Sequence, residues 1–205
     1  MAENTCNPAA IYGAIEFCPG KPVLPGIRRR TYYIRRQDIA KWPANPYLAA
    51  IKSGTPAQAD TLVVLTSTFE LATGKNWLPI DAEVSRSNVE SETQGEAHSR
   101  TFRNRATLVH AGTDKKISGF AAAANNDDLV FLVQQADGRF RLIGSEFFDT
   151  QVNTNISLGQ GPTAESGSTV TVEGTDFTPA PFYEGEILLE GNVKISGVDG
   201  SAITS

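Results

Sequence analysis

The sequence predicts a mainly β protein: an antiparallel β-sandwich or barrel with one flanking α-helix, a long projecting β-hairpin loop and an extended N-terminal arm. Two apolar runs, at 129–133 and 140–143, flank Asp137 and Gly138, a pair that supplies the positive-φ residues of a tight hairpin turn. Short β-rich runs separated by turn residues recur along the rest of the chain. One segment, at 115–125, has strongly helical composition. Together these features favour packed β-sheets with a helix on one side.

The N-terminal region, residues 1–54, is predicted to be an arm that carries the first strand and short helical segments. Residues 1–27 are rich in proline and glycine, which is typical of an extended segment. They also include apolar side chains, which we expect to pack on the domain itself or on a neighbour. The regular elements predicted in this region are a strand at 27–36, a helical turn at 37–42 and a short helix at 45–53 that ends at Gly54.

Residues 55–196 are predicted to form the β-domain, and residues 197–205 a flexible tail. Apolar or alternating runs predict its strands, at 61–67, 77–84, 101–110, 129–133, 140–143, 147–158, 168–173 and 185–195. The alanine-rich segment 115–125 is the predicted helix, with Thr113 or Asp114 as its N-cap.

The segment 85–100 interrupts this pattern, because Val89 and Ala97 are its only clearly apolar residues. It lies between two predicted strands, so it predicts a hairpin whose tip projects far from the core. Long polar loops inside a compact domain are generally functional or disordered. We expect residues of region 84–103 to contact other subunits, with a flexible solvated loop as the alternative. The candidate contact residues are Arg86, Asn88, Glu90, Glu92, Gln94, Glu96, Arg100 and Arg103.

Charge is unevenly distributed along the chain. The formal net charge is −5, but nine acidic residues and a single basic residue, Lys194, follow position 144. The preceding part is nearly neutral and slightly basic. Such asymmetry favours contact between copies of the chain, because surfaces of opposite charge attract.

One basic segment is a candidate binding surface. Five arginines flank the tyrosines of the first predicted strand, and they are Arg28, Arg29, Arg30, Arg35 and Arg36. They could contact nucleic-acid phosphates, but the overall acidity disfavours dedicated nucleic-acid binding. We give more weight to pairing with the acidic C-terminal third of a neighbouring copy.

The sequence offers no catalytic or metal-binding constellation, so we expect a protein that is not an enzyme and uses no cofactor. His98 and His110 lie outside any metal-ligand pattern, and Cys6 and Cys18 are too few for a zinc site. The N-terminus has no basic n-region and no continuous apolar core, so we predict no secretory signal and free thiols, although a bridge between the two cysteines stays open. No apolar run approaches the ~20 residues of a membrane-spanning helix.

The order of these elements resembles the major tail tube proteins of tailed bacteriophages and the related tube proteins of contractile injection machines. The resemblance covers roughly residues 60–195: a polar hairpin at 84–103, a helix at about 115–125, then LVFLVQQADGRFRLIGS and returning strands. The phrases ADGRFRLIGS, GSTVTVEG and TPAPFYEG are similar to those of phage structural proteins.

The resemblance implies a subunit that self-assembles into stacked, hexameric rings, the tail tube of a virion through which DNA passes as cargo. It implies inner strands that line a lumen, a long loop that contacts the adjacent ring, and an arm that reaches a neighbouring subunit. It also implies synthesis in the host cytoplasm, contacts with other tail proteins, and no catalytic residues.

Two alternative functions stay open. Another phage structural role, in head decoration or tail completion, would give a ring or trimer without an extended polymer. A carbohydrate- or ligand-binding β-sandwich would need an exposed aromatic platform, for which Trp42 and Trp77 are the candidates. An enzyme is the least favoured class.

Overall fold

The computed structural model describes residues 9–16, 19–20, 22–160 and 166–203. Cys6 and Cys18, and with them the expectation of free thiols, lie outside these residues. The strands are β1 Ala10–Ile11, β2 Ile27–Arg35, β3 Ile39–Lys41, β4 Ala57–Gln58, β5 Val64–Leu65, β6 Glu70–Leu71, β7 Leu78–Asp81, β8 Asn88–Gln94, β9 Thr101–Ala111, β10 Leu129–Gln135, β11 Phe140–Ile143, β12 Thr150–Ser157, β13 Gly167–Asp176, β14 Phe182–Tyr183, β15 Glu186–Leu188, β16 Lys194–Ser196 and β17 Ala202–Ile203. The helices are α1 Pro46–Ser53 and α2 Lys115–Ala124, with 3-10 turns at Arg36–Asp38, Thr61–Val63 and Glu190–Asn192.

Two large sheets form the body of the protein. The central sheet has six strands in the order β5-β14-β11-β10-β2-β7, and the outer sheet has four in the order β12-β13-β9-β8. All pairings in the outer sheet are antiparallel, and in the central sheet only β14 and β5 run parallel. Strands make up 44% of the structure and helices 14%, and no barrel closes, so the predicted mainly β, sandwich-like class is confirmed.

The central sheet is covered on both faces. Alternate residues of β10 point to opposite sides, so Phe131 and Val133 belong to the core between the two sheets, where they join Leu108 and Val172 of the outer sheet. Their neighbours Val130 and Leu132 belong to a second core with Trp77, Phe69 and Ile187. Two-sided burial explains why the run at 129–133 is continuously apolar instead of alternating.

The predicted hairpin at 129–145 is confirmed. β10 and β11 pair antiparallel, with Phe131 opposite Ile143 and Gln134 opposite Phe140. Gly138 has φ +104, a value that L side chains rarely adopt, so glycine is required at this turn.

Both predicted helices are confirmed, as are the end of the first at Gly54 and the N-cap Asp114 of the second. In α1 the Asn45 side chain accepts a hydrogen bond from the Leu48 N–H at 3.2 Å, and Gly54 ends the helix in the left-handed conformation. In α2 the Asp114 carboxylate accepts from the N–H groups of Lys116 and Ile117, both at 3.0 Å. These bonds, chiefly that from Ile117, lower the pKa of Asp114.

Two strand predictions and one helical-turn prediction were wrong in extent. The apolar run at 61–67 begins with a 3-10 turn, from which Leu62 reaches the interior, and leaves only the two-residue strand β5, which buries Leu65. The segment 185–195 is a hairpin, β15 and β16, since Gly191 with φ +75 turns the chain. The turn predicted at 37–42 is helical only over Arg36–Asp38 and continues as β3.

The predicted polar hairpin exists, but its strands differ from those expected. The segment 85–100 itself contains β8, which pairs with β9 along its whole length, from Asn88 opposite Thr107 to Gln94 opposite Thr101. Residues 95–100 connect the two strands and are called the hairpin tip below. Sequence reasoning took the segment for a loop because β8 is an edge strand with polar residues on its solvent side.

Candidate assembly interface

The outer sheet presents one polar face to solvent. Along β9 and β13 alternate residues such as Leu108, Val170 and Val172 are buried against the central sheet. The intervening residues point outward. This surface, called the polar face below, comprises Asn88, Glu90 and Glu92 of β8, Arg103, Arg105, Thr107 and the apolar Val109 of β9, Thr169, Thr171, Glu173 and Thr175 of β13, and Gln151, Asn153 and Asn155 of β12.

Ion pairs between neighbouring strands engage both arginines of the polar face. Arg103 contacts Glu92 at 2.5 Å, and Arg105 contacts Glu90 at 3.1 Å and Glu173 at 2.5 Å. The hydrogen bond from Arg103 lowers the pKa of Glu92, and the bond to Glu173 raises the pKa of Arg105. The polar face therefore carries charge without offering a cation that lacks a carboxylate partner.

The structure groups some of the predicted contact residues and separates others. Glu90, Glu92 and Arg103 lie together on the polar face with Arg105 and Glu173, two residues that the sequence prediction missed. Arg105 could have been found from its spacing, because it follows Arg103 by two positions on the same face of a strand. Asn88 also belongs to the polar face, at the start of β8, and Gln94 is the last residue of that strand. Arg86 pairs with Glu83 before β8, and Glu96 and Arg100 lie in the hairpin tip.

The hairpin tip is exposed and has a defined shape. All six of its residues are exposed, and Glu96 and Arg100 form no ion pair with the described residues. Gly95 and His98 both have positive φ, +90 and +72, and the Ser99 N–H donates to the Glu96 carbonyl at 3.1 Å. The tip therefore presents charged side chains on a preformed turn.

The two edges of the outer sheet differ in composition. β8 carries Glu90 and Glu92, charges that discourage uncontrolled strand pairing. β12 carries neither a charge nor a proline over its eight residues, and exposed Ile156 and Leu158 lie at its end. No further strand of the described residues pairs with the outer side of either one. β12 is therefore the edge better suited to receive a strand from another chain.

The basic strand β2 is largely neutralised within the chain. Arg30 pairs with Asp81 at 3.0 Å, Arg35 with Asp127 at 2.6 Å, and Arg36 with Asp128 at 2.9 Å and with Asp149. Arg28 donates to the Ala136 carbonyl oxygen at 3.3 Å, while Arg29 is exposed. These arginines do not form a uniformly basic surface for phosphates, because acidic side chains are interspersed among them.

A cleft of about 370 Å³ lies between helix α2 and strand β7, and is called the α2 cleft below. Its apolar lining comprises Tyr33, Pro79, Ile80, Ile117 and Phe120, and its polar lining comprises Arg30, Asp81, His110, Asp114 and Lys116. The hydrogen bond from Arg30 lowers the pKa of Asp81, and burial raises the pKa of Tyr33.

His110 has a defined tautomer at this cleft. Its Nδ1 lies 2.8 Å from the Asp81 carbonyl oxygen. A carbonyl oxygen only accepts, so Nδ1 carries the proton and the neutral ring keeps Nε2 as an acceptor. Among the residues that the structure describes, no group of three or more His, Cys, Asp or Glu side chains is placed to hold a metal ion.

The structure buries one of the two tryptophans considered for an aromatic platform. Trp77 is 1% exposed and lies in the second core, where it packs edge-on against Phe69. Trp42 also packs edge-on against Phe69, and it is half-buried. A tryptophan side chain packs through a large apolar area, and the second core supplies it. Trp77 is therefore unavailable to a ligand.

Comparisons with protein-family models, with curated proteins and with solved structures found no significant match. In the described part of the chain, no helix combines the length and the apolar composition needed to cross a membrane. The interpretation of the outer sheet therefore depends on its own geometry.

Proposed function

We propose that the protein is a virion structural subunit that assembles into stacked, hexameric rings and so forms a tail tube through which DNA passes. The observation that carries the proposal is the pair of open edges, β8 and β12, on a four-stranded antiparallel sheet with one polar face. Three observations support it. Two concern this sheet, namely the direction of its strands and the polarity of its exposed face, and the third is the exposed arm beside the domain.

Strand direction allows the outer sheet to continue from one copy to the next. Its four strands alternate in direction, so β8 and β12 at the two edges run antiparallel to each other. A second copy related by rotation can therefore place its β12 beside the first copy's β8 in an antiparallel pair. The contact is heterologous, because two different edges meet, and heterologous contacts close into rings when the rotation closes.

The polar face suits the wall of a water-filled channel. A hexamer would place about 24 strands around a common axis, more than the roughly 16–18 strands that already enclose an aqueous channel in porins. Since Arg103 and Arg105 are engaged by Glu92, Glu90 and Glu173, the wall offers no unpaired cation to the DNA backbone. Nucleic acid would move past such a surface without strong attachment.

The arm supports assembly through a second surface. Tyr12, Ile15 and Val23 are 88%, 101% and 83% exposed, and Leu24 is also exposed. Among the described residues before Gly26, β1 is the segment that pairs with the domain, in parallel with β4. Monomeric proteins rarely leave contiguous apolar side chains in water, so a neighbouring subunit is the expected cover.

A concentration series of the purified chain, followed by sedimentation velocity and negative-stain electron microscopy, tests the proposal. The wild-type chain is expected to form rings and tubes of constant diameter. Asn153→Lys with Asn155→Lys puts two charges beside the open edge and is expected to raise the concentration needed for rings by about tenfold or more.

The matched control carries the same charges in the middle of the sheet. Thr171 and Thr169 are the direct cross-strand neighbours of Asn153 and Asn155 on the central strand β13. Thr171→Lys with Thr169→Lys is expected to keep ring formation close to wild type, because no strand from another subunit pairs there. A wild-type chain that stays monomeric at high concentration would overturn the proposed function, and equal assembly of both variants would overturn the role of the β12 edge.

A further inference from the structure

The α2 cleft and the hairpin tip lie at opposite ends of one strand. The tip precedes Thr101, the first residue of β9, whereas His110 of the cleft is near the end of that strand. At roughly 3.3 Å per residue, the two features are about 30 Å apart along the strand. Strands that close into a barrel tilt by about 35–45° from its axis, so their two ends open at the two faces of a ring.

We propose that the α2 cleft receives the hairpin tip of a copy in the adjacent ring, with Glu96 of the tip placed against Lys116 of the cleft. This inference rests on the ring assembly proposed above and identifies the partner of its stacking surface. When rings stack in the same direction, the face that carries tips meets the face that carries clefts. One copy therefore supplies the tip, and the next copy supplies the cleft.

The charges of the cleft and of the tip are complementary. Arg30 and Asp81 satisfy each other through two hydrogen bonds, at 3.0 and 3.2 Å, and the Asp114 carboxylate caps the helix. Lys116 has no ion pair with the described residues, so it is the cation of the cleft that is available to an incoming carboxylate. Glu96 is the only carboxylate of the tip, and it too has no ion pair with the residues that the structure describes.

The remaining contacts also fit. The apolar side of the cleft, formed by Ile80, Ile117 and Phe120, can cover Ala97, which follows Glu96 at the tip. In its neutral form His110 offers Nε2 as an acceptor, and Arg100 of the tip is a donor with no carboxylate partner among the described residues.

The shape of the tip lowers the cost of this contact. The turn has an internal hydrogen bond before binding, from the Ser99 N–H to the Glu96 carbonyl oxygen, and Gly95 supplies a positive φ that the turn requires. A preformed turn loses less conformational entropy on association than a flexible loop of the same length.

Charge reversal on both sides tests the inference in the full-length chain. Glu96→Lys alone and Lys116→Glu alone each place like charges in contact, and each is expected to raise the concentration needed for ring stacking about tenfold. The double variant restores opposite charges and is expected to stack as the wild type does. Electron microscopy distinguishes isolated rings from tubes, and circular dichroism verifies that each variant is folded.

Lys115→Glu is the matched control, because Lys115 is the exposed neighbour of Lys116 on the same helix and does not line the cleft. It makes the same change of charge beside the same helix N-terminus and is expected to leave stacking unchanged. Tubes that form normally with both single reversals, or a double variant that does not recover, would overturn the cleft contact while the ring proposal stands. A wild-type chain without rings would overturn both.

Discussion

The central sheet and the outer sheet use their strands in opposite ways. In β10 of the central sheet every residue from 129 to 134 is buried, whereas β8 of the outer sheet buries none of its seven residues fully. β10 contributes to two cores at once, while β8 and β12 leave one edge each open to solvent. This difference indicates that the central sheet supplies folding stability, and that the outer sheet is the part available for assembly.

The largest expected effect is loss of a β10 side chain. Phe131 is 0% exposed and contacts Tyr33 in the core between the two sheets, with ring centroids 5.8 Å apart. Phe131→Ala removes its transfer free energy and leaves a cavity, so the free energy of unfolding should fall by about 3–5 kcal/mol. Denaturant unfolding of the monomer measures this change.

Leu158→Ala is the control for this experiment, since Leu158 is 79% exposed at the end of β12. Its free energy of unfolding should stay within about 0.5 kcal/mol of wild type. A comparable loss of stability in both variants would show that the two regions do not differ as the burial pattern indicates.

A buried carboxyl sharpens the comparison at the place where the outer sheet meets the central one. Asp176 ends β13, is 4% exposed, and accepts a hydrogen bond from the Phe177 N–H at 2.6 Å. Burial raises its pKa to about 6 from 3.8. Aromatic rings pack around the next residue, Phe177, with Tyr47 stacked on one side and Phe147 edge-on.

The raised pKa has a defined consequence for stability. The folded state binds the Asp176 proton more tightly than the unfolded state does. The resulting stabilisation of the folded state is therefore fully present below about pH 4 and is lost as the pH rises through about 6. A shift of about two units corresponds to about 3 kcal/mol. Asp176→Asn removes the charge and can still accept from Phe177 N–H, so it should unfold less readily than wild type at pH 7.5.

The measurement is the difference in unfolding free energy between Asp176→Asn and wild type at several pH values. We expect a gain of about 1–3 kcal/mol at pH 7.5 that disappears near pH 4, where the wild-type carboxyl is protonated as well. The pH dependence due to other carboxyls cancels in this difference, because both proteins contain them. A difference in unfolding free energy that does not change with pH would show that burial does not raise the pKa of Asp176.

The same contrast explains what could be predicted from the sequence. The hairpin at 129–145, the helix end at Gly54 and the N-cap Asp114 depend on residues close together in the chain, so local patterns identified them. The strand β8 was taken for a loop because a polar edge strand has no apolar periodicity of its own. Its conformation depends on pairing with β9, which a local pattern does not record.

The candidate site shows the same limit. Glu90, Glu92 and Arg103 were predicted because they are charged residues of one segment. The ion pair between Arg105 and Glu173, in contrast, joins residues that are 68 positions apart in the sequence. Such a pair follows from the register of β9 against β13, and register depends on the tertiary packing of both faces. The α2 cleft likewise combines β2, β7, β9 and α2, so its residues come together only in the folded chain.

The smallest expected effect on stability is that of the β12 variant Asn153→Lys with Asn155→Lys, which should impair ring formation. Asn153 and Asn155 are exposed on an edge strand, and their side chains make no hydrogen bond to the described residues. Asn153→Lys with Asn155→Lys should therefore change the free energy of unfolding of the monomer by no more than about 0.5 kcal/mol per site. Unfolding at a concentration below that of assembly separates this value from the loss of rings. If the variant unfolds much more readily than wild type, the β12 edge stabilises the monomer. That result would contradict the assignment of folding stability to the central sheet and of assembly to the outer sheet.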